Sequence, residues 1–242
     1  MKTVAIVDSR ISEKCERALL LLGFEVVRLP PFSLLPEGIA SHPDSLLFYY
    51  NNEIITSADY SEACPYVFTD IHELIPSVKL TFTGDRVGKE YPHDTVFNAV
   101  AMGERLYARL DSVSSKILEL AKKHSLKIIN TKQGYPACTT LVLSENAAIT
   151  ADAGMARAIS ESGATVTLIE SGDISLPPYE YGFIGGATGV YRDTVYFLGD
   201  VSTHRDKEKI LAAIAREGMK AKSLSDGPLC DLGGIVFIDK DV

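Results

Sequence analysis

GFIGG at residues 182–186 recurs 48 positions later as CDLGG at residues 230–234. Each double glycine leads into a β-rich segment, at residues 188–191 in the first copy and 235–238 in the second. The second segment lies four residues from the C-terminus, where an unpaired apolar strand would be an aggregation hazard. The strand pattern at residues 2–7 also lacks a preceding partner. We therefore predict that the two ends of the chain pair in one sheet.

The bulk composition is typical of an ordinary globular protein, with 242 residues, 46% hydrophobic residues and a net charge of −8. This length can bury a full core, and we expect a single domain over residues 1–242. No basic run is present, so we expect neither nucleic acid nor a membrane as a partner, and the charge favours a small cationic or neutral molecule. No segment approaches the ~18 apolar residues of a membrane span, and the N-terminus does not resemble a signal peptide. A cytoplasmic protein with four reduced cysteines is expected.

The chain contains five successive ββαβ patterns, each with a hairpin, a helix and a further strand. Asn51-Asn52, for example, is a type I′ hairpin signal between two β runs. A period of about 50 residues indicates a repeat architecture. A doubly wound nucleotide-binding sheet is disfavoured because no glycine-rich loop follows the first strand. One aspartate follows the second hairpin strand of every unit, where we expect a helix cap, at Asp8, Asp59, Asp111, Asp152 and Asp200.

Five ββαβ units closed through the termini resemble the pentein, or guanidino-group-modifying, fold. This is the α/β propeller of arginine deiminases, amidinotransferases and dimethylarginine dimethylaminohydrolase. The local resemblance lies in residues 183–186 with their hairpin, and in residues 224–238 with a final inner strand that contains glycine and cysteine. It implies a five-fold pseudosymmetric propeller whose site is the central pore, lined by the first strand of each unit.

The resemblance also implies site positions, and this chain departs from two of them. Family enzymes use a cysteine on the last inner strand, which falls near Gly233 or Gly234 here, and the nearest thiol is Cys230. The family histidine falls near residues 136–137, which are proline and alanine. An acidic residue on the third inner strand does match, at Asp94.

The loops that enter the five inner strands carry residues suited to covalent chemistry on an amidine. A thiolate activated by an imidazolium would attack the amidine carbon, the histidine would protonate the leaving amine, and carboxylates would hold the N–H groups. We predict catalytic roles for Cys230, Cys138 and His93, and substrate-binding roles for Asp44, Asp94, Asp231 and His42.

Each of these residues also has a structural interpretation. Buried cysteines commonly only pack, and Asp44 and Asp94 could be turn formers whose carboxylates bind local backbone N–H groups. The double glycines could allow either close packing at the axis or a substrate against the backbone. Zinc could bind Cys138, Cys230, His42 and His93, but no two of these form a local ligand pair. We expect no metal and no cofactor.

Two functions therefore stay open. The first is a cysteine-dependent hydrolase or transferase acting on a guanidine or amidine. The second is a non-catalytic pentein that binds a protein or metabolite through its pore face. The distinguishing feature is whether a thiol and an imidazole meet in the pore.

Overall fold

Five sheets of three strands each form a mixed α/β structure in a computed structural model that describes residues 3–240. In every sheet the central strand pairs antiparallel with one neighbour and parallel with the other, and a helical crossover precedes the parallel strand. The sheets consist of β1 (Thr3–Asp8), β2 (Phe24–Leu29) and β15 (Val236–Asp239); β3 (Leu47–Tyr50), β4 (Glu53–Ser57) and β5 (Lys79–Thr83); β6 (Ala99–Met102), β7 (Arg105–Ala108) and β8 (Lys127–Asn130); β9 (Thr140–Ser144), β10 (Ala147–Thr150) and β11 (Thr165–Leu168); β12 (Thr188–Tyr191), β13 (Thr194–Phe197) and β14 (Lys220–Ser223).

The helices fall into two classes. Crossover helices connect the second and third strands of the units, whereas two short helices lead directly into β3 and β9. None of the helices between residues 3 and 240 has the length and apolar character needed to cross a membrane. The crossover helices are α1 (Glu13–Leu21), α3 (Ala58–Ala63), α4 (Pro65–Leu74), α5 (Ser115–Lys123), α7 (Ala153–Glu161) and α8 (Lys207–Arg216); the short helices are α2 (Pro43–Leu46) and α6 (Pro136–Thr139), and 3₁₀ turns lie at Glu37–Ile39 and Val201–Thr203.

Local sequence signals account for several boundaries. The Ser12 side chain caps α1 by accepting a hydrogen bond from the backbone N–H of Cys15, and Gly23, with φ of +90°, follows the end of that helix. The turn residues Asn51 and Asn52 have φ of 46° and 60°, as a type I′ hairpin requires. The predicted type I′ hairpin at Asn51-Asn52 is confirmed.

The repeated aspartates cap helices at only two of the five junctions. Asp152 caps α7, and Asp200 caps the 3₁₀ turn at Val201–Thr203. The capping prediction is wrong for the other three: Asp8 binds Arg10, Asp59 lies inside α3, and Asp111 pairs with Arg109.

The two ends of the described chain pair as predicted. β1 and β15 are antiparallel, with Val4 opposite Ile238 and Ile6 opposite Val236. Val4, Ile6 and Ile238 are buried in one apolar cluster together with side chains of the next two units. The pairing therefore places the last strand in the same hydrophobic core as the first strand.

The double-glycine segments are turns, not strand starts. Gly233 and Gly234 have φ of +69° and +77°, which are incompatible with a β-strand. β15 consequently begins at Val236, and β12 begins at Thr188, after the turn at residues 184–187.

These turns belong to a series of five segments that precede the first hairpin strands and meet at one place. Asp44 N donates to Gly233 O, Gly234 N donates to Gly186 O, and Gly186 N donates to Cys138 O. Ala137 N donates to the Asn98 side-chain oxygen. Hydrogen bonds therefore link segments of all five units, and beyond them β3, β6, β9, β12 and β15 line a cavity of about 420 Å³.

Candidate functional site

His42 lies at the centre of this meeting point. It precedes α2, its side chain is 0% exposed, and neither ring nitrogen has a hydrogen-bond partner. Nδ1 lies 3.8 Å from both Asp44 Oδ1 and Asp231 Oδ1, and Nε2 lies 3.8 Å from Asp8 Oδ2. Burial, reinforced by the charge of Arg10, lowers the pKa of His42 to about 3, so the ring is neutral.

Asp231 is held in place by backbone and thiol donors. Its buried carboxylate accepts hydrogen bonds from Phe183 N (2.8 Å) and Gly233 N (3.0 Å). The Cys138 Sγ lies 3.6 Å and 3.5 Å from its two oxygens. Burial, followed by repulsion from Asp44, raises the pKa of Asp231 to about 7.

Asp44 adds a second carboxylate on the first turn of α2. Its side chain is 9% exposed, and Oδ2 has no hydrogen-bond partner. Burial raises its pKa to about 6, opposed by the Cys138 thiol, Ser45 and the Asn98 amide. No lysine or arginine between residues 3 and 240 forms an ion pair with Asp44 or Asp231.

Cys138 is the thiol of this cluster. It lies in α6 and is 4% exposed, and its Sγ, one His42 nitrogen and one Asp44 oxygen all lie within 4.8 Å of one another. Burial and the two nearby carboxylates raise the pKa of the Cys138 thiol well above its usual range. The resting pair is therefore a thiol and a neutral imidazole, not the thiolate and imidazolium that the sequence led us to expect.

The other predicted residues lie outside the cluster. Cys230 packs against an apolar cluster that includes Val7 and Leu232, and burial raises its pKa to about 11. His93 is exposed in the loop that precedes β6. Asp94 is buried, and one of its oxygens accepts a 2.5 Å hydrogen bond from the hydroxyl of Tyr135. Their predicted roles stay predictions.

Asp8 and Arg10 complete the surroundings of His42, and sequence reasoning gave neither a role in the site. Arg10 Nη2 donates to Asp8 Oδ2 at 2.6 Å and to Gly38 O at 2.9 Å. The sequence feature that could have indicated this pair is that Asp8 is the only one of the five repeated aspartates with an arginine two positions later.

Glycines allow the backbone to approach the cluster closely. A Cβ at Gly186 would overlap the Asp231 carboxylate, and a Cβ at Gly233 would overlap His42. A Cβ at Gly185 would meet the backbone oxygens of Ala137 and Cys138. Close packing at the axis, one of the two interpretations of the double glycines, is therefore observed.

Replacing Gly186 with alanine is expected to destabilise the protein by about 1–3 kcal/mol, because the methyl group must displace the Asp231 side chain. Gly227→Ala is the matched control, because its Cβ would meet only Ser225 Oγ at 3.8 Å, and it should stay within about 0.5 kcal/mol of wild type. Chemical denaturation measures both changes. Equal stability of the two variants would contradict the packing described here.

An aromatic cavity of about 280 Å³ gives access to the Cys138 side of the cluster. Its lining includes Cys138, Tyr135, Tyr179, Tyr181, Phe183 and Glu180. The larger cavity lined by the inner strands reaches Asp44 instead. The cluster thus lies between two cavities, one beside the thiol and one beside a carboxylate.

The comparison with protein families gives one match, which spans residues 6–236 and is described as "Family of unknown function (DUF6873)". The chain belongs to this family. A comparison of the DUF6873 chain with curated protein sequences gives no match.

Solved structures resemble this DUF6873 protein over nearly its whole length. A mutant of dimethylarginine dimethylaminohydrolase from Pseudomonas aeruginosa, complexed with citrulline, has a TM-score of 0.57 at 12% identity, covering 93% of this chain and 92% of that one. Agmatine deiminase from C. jejuni has a TM-score of 0.56 at 7% identity, covering 93% and 87%. Inosamine-phosphate amidinotransferase from Streptomyces griseus has a TM-score of 0.55 at 15% identity, covering 93% and 78%. All three are penteins, so the predicted pentein fold is confirmed.

Proposed function

We propose that this protein binds a guanidinium or amidine cation in its pore and that Cys138 reacts covalently with the bound group. The observation that carries the proposal is the meeting of two carboxylates, a thiol and an imidazole, from Asp44, Asp231, Cys138 and His42. The similarity to guanidino-modifying enzymes supports it through the shared fold.

The charge of the cluster favours a cation. Two buried carboxylates that repel each other, with no lysine or arginine paired to either between residues 3 and 240, are stabilised when a positive group lies between them. A guanidinium or amidinium is planar and presents parallel N–H donors that match carboxylate oxygens. The aromatic lining of the cavity beside Cys138 is also suited to a cation or to an apolar group attached to one.

The neutral imidazole can serve as the base in the covalent step. When the cation is bound, the Cys138 Sγ forms a bond to the central carbon, the thiol proton passes to His42, and the C=N π electrons move to nitrogen. His42 then returns the proton to the leaving nitrogen as the C–N bond breaks and the amine departs. Loss of the amine leaves a thiouronium from a guanidine or a thioimidinium from an amidine. Water attacks its central carbon in a hydrolase, and an acceptor amine does so in a transferase. The C–S bond then breaks, and the sulfur regains the proton that the attacking nucleophile loses. In either case the thiol is regenerated.

A second candidate function is binding without catalysis. The specific observation in its favour is the raised pKa of Cys138, because a protonated thiol is a weak nucleophile. If the protein is an enzyme, the bound cation would lower the pKa of the Cys138 thiol and thereby activate it. In a binding protein the ligand would leave without forming an adduct.

We also infer that the five units close into a five-fold propeller through the β1–β15 sheet. The pairing of the chain ends and the hydrogen bonds that link the five pore segments support this inference.

Benzamidine at about 10 mM is expected to raise the unfolding temperature by several degrees, whereas neutral benzamide is not, because only the cation gains from the two carboxylates. Differential scanning fluorimetry at constant ionic strength measures the shift. Asp44→Asn and Asp231→Asn should each remove most of the difference, while Asp226→Asn, a change at an exposed carboxylate bound to Lys14, should preserve it. Equal shifts with the amidine and the amide would contradict the proposal.

A further inference from the structure

His42, Asp44 and Cys138 form a set of three metal-ligand types at one point. One ring nitrogen, one carboxylate oxygen and the thiol sulfur all lie within 4.8 Å of one another. Nitrogen, oxygen and sulfur ligands at about 2.0–2.3 Å from a tetrahedral zinc ion are separated from each other by roughly 3.3–3.8 Å. His42 Nδ1 and Asp44 Oδ1 lie 3.8 Å apart, at the upper end of this range, and the Cys138 Sγ must approach the other two ligand atoms by at most about 1 Å.

The imidazole of His42 is a second, independent indication of a ligand. Its side chain is completely buried, yet both nitrogens lack a hydrogen-bond partner, which is rare for a buried polar group.

The carboxylates around His42 are arranged as in a metal site. Nδ1 faces Asp44 and Asp231, whereas Nε2 faces Asp8 on the other side of the ring at 3.8 Å. Metal-bound histidines commonly donate their second N–H to a carboxylate, which orients the ring and raises its basicity. Asp8 is itself fixed by Arg10, so it is positioned to hold Nε2–H while Nδ1 binds the metal.

We propose that His42, Asp44 and Cys138 bind a divalent zinc ion. In this site Asp8 orients His42, and Asp231 lies beside the thiolate. The donor set selects zinc or a similar transition metal, because a sulfur ligand and an imidazole do not suit Mg²⁺ or Ca²⁺. Three protein ligands leave a fourth position open. The thiol proton is released to solvent when the metal binds, since the metal ligand is the thiolate.

This inference uses the same residues as the proposed function but does not depend on it. Zinc and an organic cation would compete for the two carboxylates, and a zinc-bound thiolate is not free to attack a carbon atom. The metal would therefore block amidine chemistry, and protein freed of metal would be the reactive form.

Metal binding is tested with the full chain after chelator treatment under reducing conditions. Zn²⁺ affinity is measured by competition with a chromophoric chelator, and Co²⁺ is used as a spectroscopic probe. We expect one Zn²⁺ per chain, no Mg²⁺ binding, and a thiolate-to-cobalt charge-transfer band with the intense visible bands of a tetrahedral site.

Variants then identify the ligands. Cys138→Ser should abolish the charge-transfer band, and His42→Ala and Asp44→Asn should weaken Zn²⁺ affinity at least tenfold, with Asp8→Asn weakening it about 10- to 100-fold. Cys230→Ser is the matched control and should keep both the band and the affinity. Retention of the band in Cys138→Ser, or the absence of binding in folded wild type, overturns the proposal. If circular dichroism shows that His42→Ala is unfolded, the test depends on the charge-transfer band of Cys138→Ser compared with that of Cys230→Ser.

Labelling of Cys138 by chloroacetamidine in the presence of a chelator separates the two proposals. Labelling without any Zn²⁺ binding refutes only the metal site. Zn²⁺ binding without amidine-selective labelling refutes only the proposed function. If both hold, one equivalent of Zn²⁺ should slow the labelling about tenfold or more.

Discussion

Chloroacetamidine is expected to alkylate Cys138 at least about tenfold faster than chloroacetamide does, with Cys15 and Cys64 showing no such preference. The two reagents are nearly isosteric, but only the amidine is cationic, so the carboxylates of Asp44 and Asp231 concentrate it beside the thiol. A tenfold ratio corresponds to about 1.4 kcal/mol, well below the ~4 kcal/mol that one ion pair at 4 Å provides with an effective dielectric constant near 20. The bound cation also favours the thiolate over the thiol.

Mass-spectrometric mapping of the labelled cysteines in native protein measures the four rates separately. Asp231→Asn should reduce the amidine preference at Cys138 to within about threefold of the neutral reagent, which leaves intrinsic thiol reactivity as the remaining factor. Asp226→Asn should leave the preference unchanged. Equal rates with the two reagents at Cys138, or preferential labelling of Cys230, would exclude the proposed role of Cys138.

Removal of residues 236–242 is expected to unfold the whole protein rather than one unit. This truncation removes β15, leaves β1 with an unpaired edge, and takes Ile238 out of the cluster that also contains Val4 and Ile6. It also breaks the inferred ring, so the neighbouring units lose a packed surface. We expect the cooperative thermal transition to be lost, and circular dichroism as a function of temperature measures this.

Ile238→Val is the matched control for the truncation. It keeps β15 and its backbone hydrogen bonds but removes one buried methylene group, so about 0.5–1.5 kcal/mol of stability should be lost while the transition stays cooperative. A truncated protein that melts at the wild-type temperature would show that the last strand does not close the structure.

The repeat period and the hairpin signals made most of the fold predictable. A double glycine before each of two β segments, and two terminal strands without partners, were enough to predict the pairing that joins Val4 to Ile238. Starts of inner strands were less predictable. Residues 43–46 and 136–139 form short helices, because their prolines occupy first helical positions, where the missing N–H is not needed.

The site was predictable in its residue types but not in its partners. His42 and His93 both lie within two positions of an aspartate ahead of an inner strand, yet His42 is buried among three carboxylates and His93 is exposed. Similarly, Cys230 is next to Asp231 in sequence, but the thiol that contacts the Asp231 carboxylate is that of Cys138. The direction of a side chain depends on turns set by other units, which a local pattern does not encode.

The cluster joins residues that are far apart along the chain. Cys138 and Asp231 are separated by 93 positions, and outside the cluster the hydrogen bond between Thr3 and Asp239 spans 236 positions. Contacts between residues so far apart require large loops to close before the contacts that stabilise them can form, which slows folding. His42 and Asp44 lie near the start of the chain and Asp231 near its end, so a nascent chain can complete this cluster only after Asp231 has left the ribosome.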